Sequence, residues 1–255
     1  MTYNFHTHTK RCGHAKGESE NYILRAIENG IKDMGFSEHI PFIFPDGYES
    51  YFRLPSGQIN EYLDELNFLR EKYKDKINIK IGFEMEYYPK YFEAMLENAK
   101  KLKAEYLILG QHFLYNETEN VASVKATESI ADLNEYVNCV LAGIKSGVFT
   151  YIAHPDLMNF IGDDNIYYDE MKKICVASKE YNIPLEINFL GIREGRRYPT
   201  EKFWKIAGEV QCPVTFGFDA HDEQSAYDGA SLVKAKEIVK KYSLNYTGNP
   251  FKKGE

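Results

Sequence analysis

Seven short apolar runs recur along the chain, and each lies next to a polar or ionisable residue. They are YNF before His6, MGFS before Glu38, IKIGFE ending at Glu84, YLILGQ before His112, FTYIA before His154, PLEINF around Glu186 and VTFGF before Asp219. Apolar runs of this length, bounded by polar residues, are typical of buried β-strands. The pattern therefore predicts seven strands.

Stretches with helical periodicity separate these runs. Apolar residues recur three or four positions apart in ESENYILRAIENGIKD, in INEYLDELNFLREKYKDK and from Leu133 to Ser146,. Two of these helices are expected to end at a glycine, Gly30 or Gly147,. Alternating strands and helices indicate parallel strands joined by right-handed crossovers. Because no linker-like composition interrupts the 255 residues, we expect one α/β domain spanning residues 1–255,.

Composition and charge narrow the class of protein. Hydrophobic residues make up 44% of the chain and charged residues 27%, and no run approaches the roughly 18 apolar residues of a membrane-spanning helix,. The formal charge of −7 argues against a protein that binds a nucleic-acid backbone,. No leader-like segment opens the sequence, and the four cysteines are scattered without a C-x-x-C pair,. We therefore expect a cytoplasmic protein without membrane or nucleic-acid partners.

Histidine is confined to the ends of the predicted strands. The seven are His6, His8, His14, His39, His112, His154 and His221. Taken alone, each is more often a hydrogen-bonded surface residue than a metal ligand, but that alternative does not explain why histidine is absent elsewhere. In a barrel the carboxyl ends of the strands form one face. With Glu84 and Asp219, nine imidazole and carboxylate groups are expected there. They favour zinc, manganese or iron, and are too many for one ion.

The same residues, in order, resemble the PHP (polymerase and histidinol phosphatase) domain family. The motifs are His-Thr-His at 6–8, His14, Ser-Glu-His at 37–39, Gly-Phe-Glu at 82–84, Gln-His at 111–112, Ala-His-Pro at 153–155 and Asp-Ala-His at 219–221. The resemblance implies a single distorted TIM-like (β/α)7 barrel, with two or three divalent metal ions at the carboxyl ends of its strands. It implies a first ion held by His6, His8, Glu84 and Asp219, a second held by Glu84, His112 and His154, and a third held by His14, His39 and His221.

Further motifs are similar to the histidinol-phosphate phosphatase branch of that family. They are GFEMEYY at 82–88, QHFL at 111–114, EINFLGIR at 186–193 and Arg-Tyr-Pro at 197–199. This similarity implies hydrolysis of L-histidinol phosphate, a step of histidine biosynthesis, by a hydroxide held on the metal ions. Glu84, Asp219 and Arg193 would be catalytic, and Arg193 and Arg197 would bind the substrate phosphate.

Two questions stay open in the sequence. The segment HPDLMNFIG after His154 lacks the basic residue that many relatives carry there, so a second phosphate-binding group is not identified. Another small phosphate, such as a nucleotide or a sugar phosphate, is therefore an alternative substrate. A metal-binding module without catalysis is a further alternative, although no ligand position of the family pattern is lost.

Overall fold

Strands and helices alternate along the chain in the computed structural model, which describes residues 1–252. The strands are β1 (Tyr3–Asn4), β2 (Asp33–His39), β3 (Asn78–Met85), β4 (Leu107–Leu109), β5 (Tyr151–Ile152), β6 (Leu185–Asn188), β7 (Pro213–Gly217) and β8 (Asn245–Tyr246). The helices are α1 (Ser19–Glu28), α2 (Ile59–Tyr73), α3 (Phe92–Lys101), α4 (Ile130–Ser146), α5 (Asp164–Tyr181), α6 (Phe189–Glu194), α7 (Glu201–Val210) and α8 (Gly229–Lys241).

The predicted α/β fold class is confirmed. Each of the seven apolar runs overlaps a strand, and the strands follow one another in the sheet in sequence order, β1 to β8. The pairs β1–β2, β2–β3, β4–β5, β5–β6 and β7–β8 are parallel. This sequential parallel order is that of the strands in a (β/α) barrel. The eighth strand was not predicted, because Asn245 and Tyr246 are exposed and lie in no apolar run.

Contacts divide the chain into two compact units. Unit 1 consists of Met1–Met85, Glu93–Leu107 and Gly217–Gly229, and unit 2 of Glu86–Phe92, Ile108–Phe216 and the residues from Ala230 onward. Unit 1 contains β1 to β3 with α1 to α3, and unit 2 contains most of β4 and β7, with β5, β6, β8 and α4 to α8. No helix of residues 1–252 is long and apolar enough to cross a membrane.

A tyrosine packed on two glycines shapes the core of unit 1. A Cβ atom on Gly35 in β2, or on Gly82 in β3, would overlap Tyr106. The phenol of Tyr106, which is 5% exposed, donates a hydrogen bond of 2.9 Å to the carbonyl of Phe5. The ring therefore anchors the segment after β1, which carries His6 and His8, against β2 and β3.

Side-chain caps set the helix ends in unit 2. Helix α4 begins at Ile130, three residues before the predicted start, because Ser129 accepts a hydrogen bond of 3.2 Å from the backbone N–H of Asp132,. It ends where predicted, at Gly147, whose φ of +69° suits glycine,. In α6, Asn188 accepts from the N–H of Gly191 at 3.1 Å. Helix α6 thus begins directly after the polar residue that ends β6.

Candidate metal centre

Backbone hydrogen bonds hold the His6–Thr7–His8 segment between two neighbouring segments of unit 1. On one side, the N–H of His8 donates to the carbonyl of Ala220 at 2.9 Å, and the N–H of Ala220 donates to the carbonyl of His6 at 3.1 Å. On the other side, the N–H of Ser37 donates to the carbonyl of Thr7 at 2.9 Å. The segments that carry Asp219, His221 and His39 are thereby aligned beside His6 and His8.

Five of the seven histidines form a cluster in unit 1, with His8 in the middle. The ring centroid of His8 lies 5.3 Å from that of His6, 6.3 Å from His14, 4.5 Å from His39 and 4.3 Å from His221. His6, His8 and His39 are buried. Histidines more than 200 positions apart in the sequence therefore lie together in the folded unit.

Two buried carboxylates complete the cluster. Oε2 of Glu84 lies 3.5 Å from Nε2 of His6, 3.4 Å from Nε2 of His8 and 3.3 Å from Nδ1 of His39. Oδ1 of Asp219 lies 3.5 Å from Nε2 of His6 and 3.4 Å from Nε2 of His8. Glu84 is 1% exposed and Asp219 3% exposed. Each carboxylate oxygen thus lies close to the same two imidazole nitrogens.

These spacings suit a metal ion. Zinc ligands lie about 2.0–2.2 Å from the ion, so ligand atoms at tetrahedral angles are about 3.4 Å apart. The four separations between His6 or His8 and Glu84 or Asp219 are 3.4–3.5 Å. Imidazole and carboxylate are also the ligand types that zinc, manganese and iron accept. Both the chemistry and the spacing of this donor set therefore fit a divalent cation.

Asp219 has a strained backbone. Its φ is +47°, a left-handed conformation that costs a non-glycine residue free energy,. His221 follows two residues later, and its N–H donates to Oγ of Ser225 at 3.1 Å. The turn therefore brings both Asp219 and His221 to the cluster. Such strain persists where the surrounding contacts determine the conformation and is common at functional sites.

Hydrogen bonds orient three of the imidazoles. Nδ1 of His14 lies 2.8 Å from the carbonyl of Cys12, and Nδ1 of His221 lies 3.1 Å from the carbonyl of Asp219. Nδ1 of His8 lies 3.3 Å from Oε1 of Glu38. A carbonyl or carboxylate oxygen accepts, so each Nδ1 carries the proton and each Nε2 is left to bind a cation.

The environment of the cluster raises the pKa of one group and lowers the pKa of others. Burial opposes a charge on His8, but hydrogen bonds to Asp219 and Glu38 outweigh it and raise the pKa of His8 to about 9,. For His221, burial and the nearby charge of His8 lower the pKa to about 3. Burial favours the neutral form of Asp219, yet the imidazoles around it hold its pKa well below the usual range. Without a metal, one proton on His8 thus takes the place of a cation among the carboxylates.

Cys12 also lies within the cluster of unit 1. Its Sγ and one ring nitrogen each of His8 and His221 lie within 4.8 Å of one another. Cys12 is fully buried, and burial raises the pKa of its thiol. Since the thiolate is the form that binds metals, this environment favours a protonated bystander.

The two remaining histidines, His112 and His154, lie together in unit 2. Their ring centroids are 5.0 Å apart. Nδ1 of His112 lies 2.8 Å from Oε1 of Glu86, and the backbone N–H of His154 donates to Oε2 of Glu186 at 3.0 Å. His154 has a left-handed φ of +29°. The pair therefore presents a second imidazole group backed by buried carboxylates.

Arg193 and Arg197 lie in or after α6 in unit 2. Arg193 is in the last turn of α6 and is half-buried, whereas Arg197 is exposed in the following loop. The neighbouring Arg196 bonds Oε2 of Glu194 at 2.7 Å and the phenol oxygen of Tyr198 at 3.0 Å. The Tyr198 ring lies 5.8 Å from the ring of His154. The loop that carries Arg197 therefore approaches one of the candidate ligands.

Besides Glu84, three glutamates that contact the histidines were not among the residues assigned from the sequence. Glu38, Glu86 and Glu186 are all fully buried. Glu38 and Glu86 bond ring nitrogens, whereas Glu186 bonds a backbone N–H. For Glu86 the available signal was its place in the GFEMEYY motif, two positions after Glu84.

The chain is similar in sequence to proteins of a known family. Residues 4–189 match the family described as "PHP domain". A protein of Deinococcus radiodurans named "Probable histidinol-phosphatase" is 27% identical over 227 residues, which cover 85% of each chain. A protein of Schizosaccharomyces pombe with the same name is 32% identical over 248 residues, covering 87% of this chain and 81% of its own length.

A solved structure has the same fold. It is the histidinol phosphate phosphatase from Lactococcus lactis subsp. lactis, in complex with zinc, L-histidinol and phosphate. The two structures agree with a TM-score of 0.71 at 21% sequence identity, over 96% of this chain and 95% of the other. At this identity the likeness establishes a shared fold, which includes the predicted arrangement of alternating strands and helices.

Proposed function

This chain belongs to the PHP domain family, and from that premise we propose that it is a metal-dependent phosphomonoesterase that hydrolyses L-histidinol phosphate to L-histidinol and phosphate. The observation that carries the proposal is the spacing of His6, His8, Glu84 and Asp219. Their ligand atoms lie 3.4–3.5 Å apart in a buried site, as the ligands of a divalent cation do,.

We assign the nine predicted ligands to two or three ions of zinc, manganese or iron. His6, His8, Glu84 and Asp219 would hold the first ion. His112 and His154 would take part in a second site, and His14, His39 and His221 in a third. Ring centroids 4.7 Å apart for His14 and His221, and 5.8 Å for His14 and His39, support the last grouping.

Phosphate monoesters resist hydrolysis because a nucleophile must approach a dianion. Bound divalent ions supply hydroxide at neutral pH and neutralise charge on the phosphoryl oxygens. The chain's own residues then position the substrate. We propose that Arg193 donates its planar pair of N–H groups to the non-bridging oxygens, and that Arg197 adds charge at the rim. Glu84 and Asp219 act by holding the cations in place.

The substrate assignment draws on the relatives. Two are named "Probable histidinol-phosphatase", and the Lactococcus protein was solved with zinc, L-histidinol and phosphate. The GIR segment at 191–193 supports the same branch, because it supplies an arginine in the last turn of α6, before the loop whose Tyr198 ring lies 5.8 Å from the ring of His154. Other small phosphate monoesters are the competing substrates.

A substrate panel tests the proposal. The purified protein, loaded in turn with manganese, zinc and iron, is assayed for phosphate release from histidinol phosphate, nucleoside monophosphates and sugar phosphates. We expect the highest kcat/KM with histidinol phosphate. A preference for a nucleotide or a sugar phosphate would support phosphatase activity but contradict histidinol phosphate as the substrate. A protein that binds metal but hydrolyses none of them would support a non-catalytic metal-binding module.

We also propose that residues 1–255 act as one functional domain in the cytoplasm, without nucleic-acid or membrane partners. The family match over residues 4–189 includes parts of both compact units, which supports a single functional domain. Each unit is built from three separate stretches of the chain, so a continuous fragment such as residues 108–216, the longest stretch of unit 2, should lack phosphatase activity. An active fragment would contradict the single domain.

A further inference from the structure

Glu38 is a fully buried carboxylate at the end of β2 that the proposed reaction does not use. Its Oε2 accepts hydrogen bonds from the backbone N–H of Thr9 at 2.8 Å and from the Thr9 hydroxyl at 2.7 Å. Its Oε1 accepts from the backbone N–H of His39 at 3.0 Å and lies 3.3 Å from Nδ1 of His8. The carboxylate therefore has four contacts and both of its oxygens are fixed.

Nδ1 of His8 must act as the donor in its contact with Glu38. An ionised carboxylate only accepts, and the other three contacts of Glu38 show both oxygens already accepting from donors,. The proton of a neutral His8 ring is therefore held on Nδ1. Nε2, which lies 3.4 Å from both Glu84 and Asp219, then presents its lone pair.

We propose that Glu38 is a positioning residue that fixes the tautomer and the ring orientation of His8, and thereby sets the affinity of the site for its cation. The inference rests on the metal-binding part of the proposed function. Carboxylates that hold the distal nitrogen of a metal-binding histidine raise its basicity and restrict its rotation, and their loss costs roughly 10- to 100-fold in metal affinity.

Thr9 offers a matched control, because a purely structural role of Glu38 would act through Thr9 and His39. Thr9→Val removes the 2.7 Å hydrogen bond to Oε2 and leaves the contact of Oε1 with His8 in place. Glu38→Ala removes all four contacts of the carboxylate. Glu38→Gln is intermediate, since an amide oxygen can still accept from Nδ1 of His8 while the negative charge is lost.

Zinc affinity, measured by competition with a chelating dye, tests the inference without using activity. We expect Glu38→Ala to bind zinc roughly 10- to 100-fold more weakly than the wild type, and Glu38→Gln to fall between them. Thr9→Val should lose some stability against urea but keep the wild-type zinc affinity. Folded Glu38→Ala protein with wild-type zinc affinity would overturn the inference, and so would an equal loss of affinity in Thr9→Val.

The tautomer is measured directly on the wild-type protein, which removes any dependence on the folding of a variant. In zinc-loaded protein labelled with 15N-histidine, we expect the His8 resonances to show a proton on Nδ1 and metal-bound Nε2. A proton on Nε2 would overturn the inference. These results are distinguishable from those of the substrate panel. If the protein hydrolyses histidinol phosphate but Glu38→Ala keeps the wild-type zinc affinity, the proposed function stands and only the positioning role of Glu38 is overturned.

Discussion

Oε2 of Glu84 lies 3.4 Å from Nε2 of His8, and the same oxygen also contacts the rings of His6 and His39. One carboxylate oxygen therefore faces three imidazoles. Because Glu84 is 1% exposed, little water is available to stabilise its charge. A cation between these groups would stabilise it.

We expect Glu84→Gln to lower kcat by roughly 100-fold or more and to reduce the bound metal per chain, because a neutral amide is a poor ligand for a divalent ion. Metal content by elemental analysis and steady-state kinetics measure both effects. Glu97→Gln is the control, since Glu97 pairs with Lys101 on the exposed surface of α3. Full activity of Glu84→Gln would contradict the assignment of Glu84 as a ligand.

The raised pKa of His8 predicts that a rise in pH lowers the stability of the metal-free protein and raises its affinity for zinc. Against the effect of burial, the surrounding carboxylates raise its pKa to about 9, above the value of about 6.5 in an unfolded chain,. In metal-free protein this stabilisation is fully present below about pH 6.5 and is lost as the pH rises through about 9. Thermal unfolding of chelator-treated protein should therefore show Tm falling over that interval, with a smaller fall in His8→Gln.

Metal binding should show the opposite trend, since zinc must displace the proton on His8. The apparent zinc affinity should rise by about tenfold per pH unit from this one proton, up to about pH 9. Zinc competition titrations between pH 6.5 and 8.5 measure the slope. A zinc affinity that does not change over this range would contradict coordination by His8.

Arg193 is expected to contribute more to turnover than its neighbour Arg196. Removal of a donor that stabilises the transition state costs roughly 10²–10³-fold in rate, so Arg193→Ala should lower kcat/KM by about that factor. Arg196 is already bonded to Glu194 and Tyr198, and Arg196→Ala should change kcat/KM little. Steady-state kinetics and inhibition by inorganic phosphate make the comparison. An equal loss in both variants would contradict a specific role for Arg193.

Gly82 is predicted to be essential for stability. A methyl group at this position would overlap the backbone and ring of Tyr106, so Gly82→Ala should destabilise the protein by roughly 1–3 kcal/mol,. Gly57→Ala is the matched control, because a Cβ atom there would meet no atom within 4 Å. Urea unfolding gives both free energies. Equal stability of the two variants would contradict the packing of Tyr106 against β3.

Local sequence was sufficient to predict strands β1 to β7 and the polar residues near their ends. The run IKIGFE lies within β3, and Glu84 is the second-last residue of that strand. Helix α4 ends at Gly147, which has a positive φ. Such features depend on neighbours a few residues away in the sequence, so the spacing of apolar residues predicts them. The histidines other than His14 lie at or within four residues of the carboxyl end of a strand, whereas His14 lies farther along the loop after β1. Which ion each histidine binds stays a prediction.

The sequence alone determined the first seven strands and their alternation with helices, the family and the set of candidate ligands, because these follow from short-range pattern and motif. Only the tertiary structure decided that Glu38 bonds His8, that Glu86 bonds His112 and that Asp219 adopts a left-handed backbone. These relations join side chains that are 30 and 26 positions apart, or depend on the turn that aligns Asp219 with His6. No local pattern encodes them, because their free energy comes from packing between elements that meet only in the folded chain.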